Sequence, residues 1–267
     1  MAELAAASAD GAMVTALDDG AGPPLLLVHW GGGSAGCWDG VIRSLAGDFR
    51  VVRIARRVYV PGASVPPGYS MAVEAADVLT IARLLGRPVL LVGHSSGAVA
   101  ALEAAVQSPE RLAGLVLYDP PVPTRSLVGG TAARRAREAL AAGNPREAMR
   151  IHLRDISQEP AELVETLIAN PKALAVFTAQ ATGALADTDA IDALGVGVDR
   201  FRRLGVPTTL VEGERSPLHL RERVADLADA LPNARVVTLA GQGHAAHLTA
   251  PDMLADTIRE AAERAFC

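Results

Sequence analysis

The sequence predicts an α/β fold: a mostly parallel central sheet covered by helices on both faces, with a helical insertion. Three observations carry this. Short apolar runs rich in β-branched residues recur along the chain, helical patterns alternate with them, and one long stretch between two of the runs has no strand pattern. At 267 residues the chain is long enough for one large domain with a substantial core.

The candidate buried strands are Leu25 to His29, Val51 to Ile54, Val89 to Val92, Leu115 to Leu117, Thr208 to Val211 and Val236 to Leu239, each bounded by Gly, Pro or polar residues. Helical patterns span Met71 to Leu85, Ala98 to Gln107, Leu218 to Leu231 and Pro251 to Phe266, the last with Thr249 as its expected N-cap. From Pro121 to Arg203, Ala/Leu/Arg/Glu segments are broken at Gly143-Asn144-Pro145, Glu159-Pro160 and Asn170-Pro171. The expected organisation is therefore a core of residues 1–120 and 204–267 with a helical lid over 121–203. The N-terminal "MAELAAASADGAMV" is small and Ala-rich, and no element is assigned to it.

Composition narrows the function. Half the residues are apolar, mean hydropathy is slightly positive, and the net charge of −5 excludes a broadly basic nucleic-acid surface. Lys172 is the only lysine, and no block of like charge gathers in one segment. No apolar run approaches transmembrane length and the N-terminus lacks the charged and apolar regions of a secretory signal, so a soluble cytoplasmic protein is expected, without membrane or nucleic-acid partners. Two cysteines, Cys37 and Cys267, make no disulfide framework. Nothing in the sequence indicates the oligomeric state.

The stretch "RPVLLVGHSSGAVAALEAA" carries the chemistry. A strand pattern runs into Gly93-His94-Ser95-Ser96-Gly97 and a helix follows at once. Gly-x-Ser-x-Gly at such a junction is a nucleophile elbow: the serine sits in a strained turn, the flanking glycines remove colliding side chains, and the helix N-terminus points its N–H groups where an anion would develop.

With "LLLVHWGGGSAGCW", "VGHSSGA", "LVLYDPP" and "AGQGHAAHLTAP", the chain resembles the α/β-hydrolase superfamily over nearly its whole length, and most of all its lidded serine esterases, lactonases and carbon–carbon hydrolases. The resemblance implies a cofactor-free enzyme acting on a small-molecule substrate, and the Leu/Ala/Val character of the lid suggests that this substrate carries an apolar group. It implies Ser95 as nucleophile and His244, after the last strand, as its base, with His247 as a fallback. For the acid, relatives often carry aspartate where this chain has Ser216, so Asp119 is favoured and Glu214 is the alternative. The N–H groups of Ser96 and of Gly31 or Trp30 are the expected oxyanion donors. Trp30 replaces the usual glycine, and Arg56 to Gly62 replaces a Gly-rich turn; His29, His94 and Tyr59 are possible pocket residues.

Two rival readings follow from the residues. Gly31 to Gly36 fits the dinucleotide pattern G-x-G-x-x-G, but Arg56 and Arg57 stand where an acidic residue is wanted, leaving only a 2′-phosphate role for them. A cyclase or lyase, or a binding protein with a vestigial triad, would keep the same motifs. The six histidines form no metal-binding motif.

Overall fold

The computed structural model describes residues 2–266. Eight strands form one sheet in the order β1-β2-β4-β3-β5-β6-β7-β8. They are β1 (Ala2–Ala7), β2 (Met13–Asp19), β3 (Pro24–Val28), β4 (Arg50–Ala55), β5 (Val89–His94), β6 (Leu112–Tyr118), β7 (Thr208–Gly213) and β8 (Ala234–Leu239). The β1/β2 and β2/β4 pairs are antiparallel; all pairs from β4 through β8 are parallel. Every residue of β3 and β5 is buried, as a strand covered on both faces requires.

Helices cover both faces. α2 (Met71–Leu84), α3 (Ser96–Gln107) and α8 (Leu218–Ala230) pack on one side through residues such as Val78, Leu102 and Leu227. On the other side α1 (Asp39–Leu45) and α10 (Pro251–Phe266) bury Val41, Leu254 and Ile258 against Leu25, Leu27 and Val116. The remaining short helix, α9 (Ala246–Thr249), precedes α10.

Between β6 and β7 the chain runs through α4 (Gly130–Ala141), α5 (Pro145–Ile151), a π-turn (His152–Ile156), α6 (Ala161–Ala169) and α7 (Pro171–Asp192). The sequence breaks are helix starts. Asn144 caps α5 by accepting from Glu147 N–H, Asn170 caps α7 by accepting from Lys172 and Ala173 N–H, and a proline follows each at the first helical position.

Two expectations need correction. The Ala-rich N-terminus is a β-hairpin, β1 and β2, turned at Gly11 with φ +83°. Its outer strand β1 is the sheet edge and mostly exposed, while β2 pairs with β4 and buries only Val14 and Ala16. Thr249 is not the cap of α10; it ends α9, and its hydroxyl donates to Gln242 Oε1 at 2.8 Å.

Candidate active site

Ser95 stands between β5 and α3 at φ 54°, ψ −127°, a conformation that L-residues rarely adopt. Its N–H donates to Tyr118 O at 2.8 Å, tying the turn to the end of β6. The glycines are demanded by close approach. A Cβ on Gly93 would lie 2.5 Å from Ala98 Cα, and one on Gly97 would lie 2.3 Å from His29 O. Helix α3 can begin against the end of β3 only with both side chains missing.

His244 lies in the loop after β8. Tyr118 holds that loop from both sides, its hydroxyl donating to Gly243 O and accepting from Ala246 N–H. His244 Nδ1 meets Asp119 Oδ2 at 2.9 Å, and the same carboxylate oxygen accepts from Ser216 Oγ at 2.6 Å. Asp119 is fully buried at the end of β6, with φ 45° and its N–H on Val211 O. Burial opposes a charged His244, but the hydrogen bond and charge of Asp119, with Glu159 adding, outweigh it and raise the imidazole pKa above 6.5. Glu214 is elsewhere: exposed, it accepts from Gly241 N–H at 2.6 Å, so the alternative acid does not reach His244. The Ser95 hydroxyl makes no hydrogen bond to another described residue, His244 included.

The N–H groups of Gly31 and Ser96 donate to no acceptor among the described residues. The Trp30 carbonyl accepts from His29 Nδ1 at 2.8 Å and from Gly33 N–H, and its ring lies 3.9 Å from that of His247. His29 is not a pocket residue. It is buried behind the loop, its second nitrogen accepts from Arg56 N–H, and burial lowers its pKa to about 3. His94 and Tyr59 do line the cavity. His94 stacks on Tyr118 at 4.6 Å and 16°, and its ring lies 4.6 Å from that of His244, tilted by 52°. His247 is buried, without a carboxylate partner, and burial with the neighbouring His244 lowers its pKa to about 3. Cys37 is half-buried and also lines the cavity.

A buried ionic cluster was not foreseen. Arg56 donates to Glu74 at 2.7 Å, to Asp187 at 2.6 Å, to Ser96 Oγ at 2.8 Å and to His29 O at 3.3 Å. Tyr59 donates to Asp187 at 2.8 Å, and Tyr69 to Glu74 at 2.6 Å. Burial disfavours the charge of Asp187, but Arg56 more than compensates and holds its carboxyl below the ordinary range. This cluster joins both loops that carry the free N–H groups to α7. A Cβ on Gly31 would fall 2.9 Å from Tyr59 OH and 3.2 Å from Asp187 Oδ2, which explains the glycine. Arg57 pairs with Asp10 and Asp77, so neither arginine is available for a 2′-phosphate and the dinucleotide reading fails.

These groups open on one cavity of about 490 Å³, floored by Ser95, Ser96, Gly31 and His244 and walled by apolar side chains of the 121–203 segment, among them Leu153, Ile156 and Phe177. His152, Glu159 and His219, which no motif marked, line it too. Among the described residues no group of three or more His, Cys, Asp or Glu is placed to hold a metal ion, and no helix is long and apolar enough to cross a membrane.

Comparison with known proteins agrees with this geometry. The chain is 33% identical over 104 residues, 38% of each chain, to the uncharacterized hydrolase YraK of Bacillus subtilis. It is 38% identical over 101 residues, 37% of each chain, to a pimeloyl-[acyl-carrier protein] methyl ester esterase of Methylococcus capsulatus. The chain thus covers under two fifths of these curated relatives' own lengths. A solved alpha/beta hydrolase from Sphaerobacter thermophilus superposes with a TM-score of 0.84 at 28% identity, over 96% of this chain and 99% of that one. The model of the alpha/beta hydrolase family matches residues 25–257, and the protein belongs to that family.

Proposed function

We propose that the protein is a serine-dependent hydrolase of a carboxylic ester, thioester or lactone that works through an acyl-enzyme. The observation that carries this is the Asp119–His244 hydrogen bond of 2.9 Å beside a strained Ser95 on the floor of the same cavity. Ser95 Oγ attacks the carbonyl carbon while His244 Nε2 takes its proton; the carbonyl π electrons move onto oxygen, where Gly31 and Ser96 N–H groups stabilise them. Collapse of this intermediate breaks the bond to the alcohol or thiol, which leaves with the proton from His244. Water, deprotonated by the same imidazole, then releases the acid and regenerates Ser95. Asp119 holds the ring with its Nδ1 protonated, and the Ser–His contact closes when substrate is bound.

Residues 121–203 act in this reading as the cap that supplies the apolar walls, which suits a substrate with an apolar group. The name of the methyl ester esterase relative is consistent with ester cleavage. The test is hydrolysis of short p-nitrophenyl esters and of lactones, followed by product mass. A gain of one water, with rates lost in Ser95→Ala, supports the proposal. Products whose masses sum to that of the substrate, with no water added, would overturn it in favour of a cyclase or lyase.

A further inference from the structure

One wall of the cavity carries polar groups that the proposed chemistry does not use. The π-turn His152–Ile156 is followed by Gln158, a non-glycine residue at φ 55°. Both features are disfavoured for an ordinary chain and cluster at functional sites. Here they redirect the backbone so that Glu159, whose N–H returns to Leu153 O at 3.0 Å, lines the cavity that also holds His244.

The Glu159 carboxylate makes no hydrogen bond and no ion pair with any other described residue. It is half-buried, and burial pushes its carboxyl above the ordinary range although the nearby His244 acts in the opposite direction. Asp187 is the other carboxylate lining the cavity, and its charge is already met by Arg56 and Tyr59. Among the described residues, no lysine or arginine lines the cavity. His152, on the same wall, has Nδ1 buried without a partner, and burial lowers its pKa to about 4, so at neutral pH it is an uncharged acceptor or donor. Glu159 is therefore the one carboxylate lining the cavity without a partner, in the same cavity as the imidazole that would protonate the departing group.

We propose that Glu159 is a specificity-determining residue that receives a cationic amine on the leaving-group side of the substrate. An ammonium supplies the opposite charge that the carboxylate lacks, in surroundings where partial burial strengthens the attraction. An anionic leaving group meets only repulsion there. The assignment of the leaving-group side rests on the serine hydrolase reading, because it follows from His244 returning its proton to the departing oxygen.

The test compares two esters of one shape, 2-(dimethylamino)ethyl butyrate, protonated at neutral pH, and its carbon isostere 3-methylbutyl butyrate. The ratio of their kcat/KM values is expected to fall about tenfold or more in Glu159→Gln, since a hydrogen bond to a charged group is lost. Comparing ratios between the two proteins cancels the intrinsic reactivity of the leaving groups and any change in His244 basicity, which both esters share. An unchanged ratio overturns the proposal. Binding of the same esters to Ser95→Ala and to Ser95→Ala/Glu159→Gln, followed by calorimetry, separates the two readings. Tighter binding of the cationic ester to the former alone, with neither ester hydrolysed by the native protein, would sink the hydrolase reading and leave the subsite standing. Turnover of both esters with no charge preference in either measurement would sink the subsite alone.

Discussion

Ser216 donates to the Asp119 oxygen that also meets His244 Nδ1, at 2.6 Å and 2.9 Å respectively. In the proposed triad, Ser216 thus steadies Asp119, which the neighbouring strand supplies as the acid. Asp119→Asn is expected to lower kcat by about 10⁴-fold, because the imidazole loses the partner that sets its tautomer. Ser216→Ala is expected to cost about tenfold, the effect of removing one hydrogen bond to a charged group. Glu214→Gln should stay within about twofold, its side chain facing away from the cavity at the protein surface. Steady-state kinetics on one ester checks all three.

The pH profile follows from the surroundings of His244. A base must be neutral to accept a proton, so raising its pKa above 6.5 moves the acid limb of kcat/KM upward, with activity rising as pH rises through it. Since Glu159 helps favour the charged ring, the limb should move to lower pH in Glu159→Gln. A limb unmoved by that substitution would contradict the electrostatic contact.

Stability should fall in acid. His29 and His247 are held neutral down to about pH 3 and His152 down to about pH 4, while the unfolded chain binds protons near the ordinary value of 6.5. The unfolded state therefore binds more protons below pH 6.5, and native stability declines as pH drops through that window. His244 acts oppositely: its raised pKa contributes stability that is complete below 6.5 and is lost as pH rises through the folded value. Burial lowers His94 and His219 as well, so five imidazoles stand against one, and the urea midpoint is expected to be lower at about pH 5 than at about pH 7.5.

Much of this was legible in the sequence, for definite reasons. The strands β3 to β7 announce themselves because burial on both faces makes them continuous apolar runs, as in "PLLLV". The elbow is readable because its glycines answer a local steric demand at Gly93 and Gly97. By contrast the edge strand β1 buries no side chain fully and β2 buries only Val14 and Ala16, too few apolar positions to mark a strand. The Arg56 cluster was hidden because its partners lie 18 and 131 residues away, and neither Glu74 nor Asp187 belongs to a motif. Glu159 reaches the cavity through a π-turn and a positive φ that no sequence periodicity encodes.

The ionic cluster should be felt in stability as well as in turnover. Arg56→Met leaves two buried carboxylates, Glu74 and Asp187, without their cation, and breaking a buried pair in this way costs about 3–5 kcal/mol. Because Arg56 also holds Ser96 and the carbonyl of His29, kcat is expected to fall alongside the unfolding midpoint. Denaturant melts of Arg56→Met paired with kinetics on the folded fraction measure both effects, and native-like stability would contradict the role assigned to the cluster.

The central claim is that Ser95 is an activated nucleophile. Intact-protein mass after exposure to a small fluorophosphonate tests it most directly, with Ser95→Ala in parallel. One adduct per chain on the native protein and none on the variant is the expected result. An unmodified native protein, or equal labelling of Ser95→Ala, would contradict it.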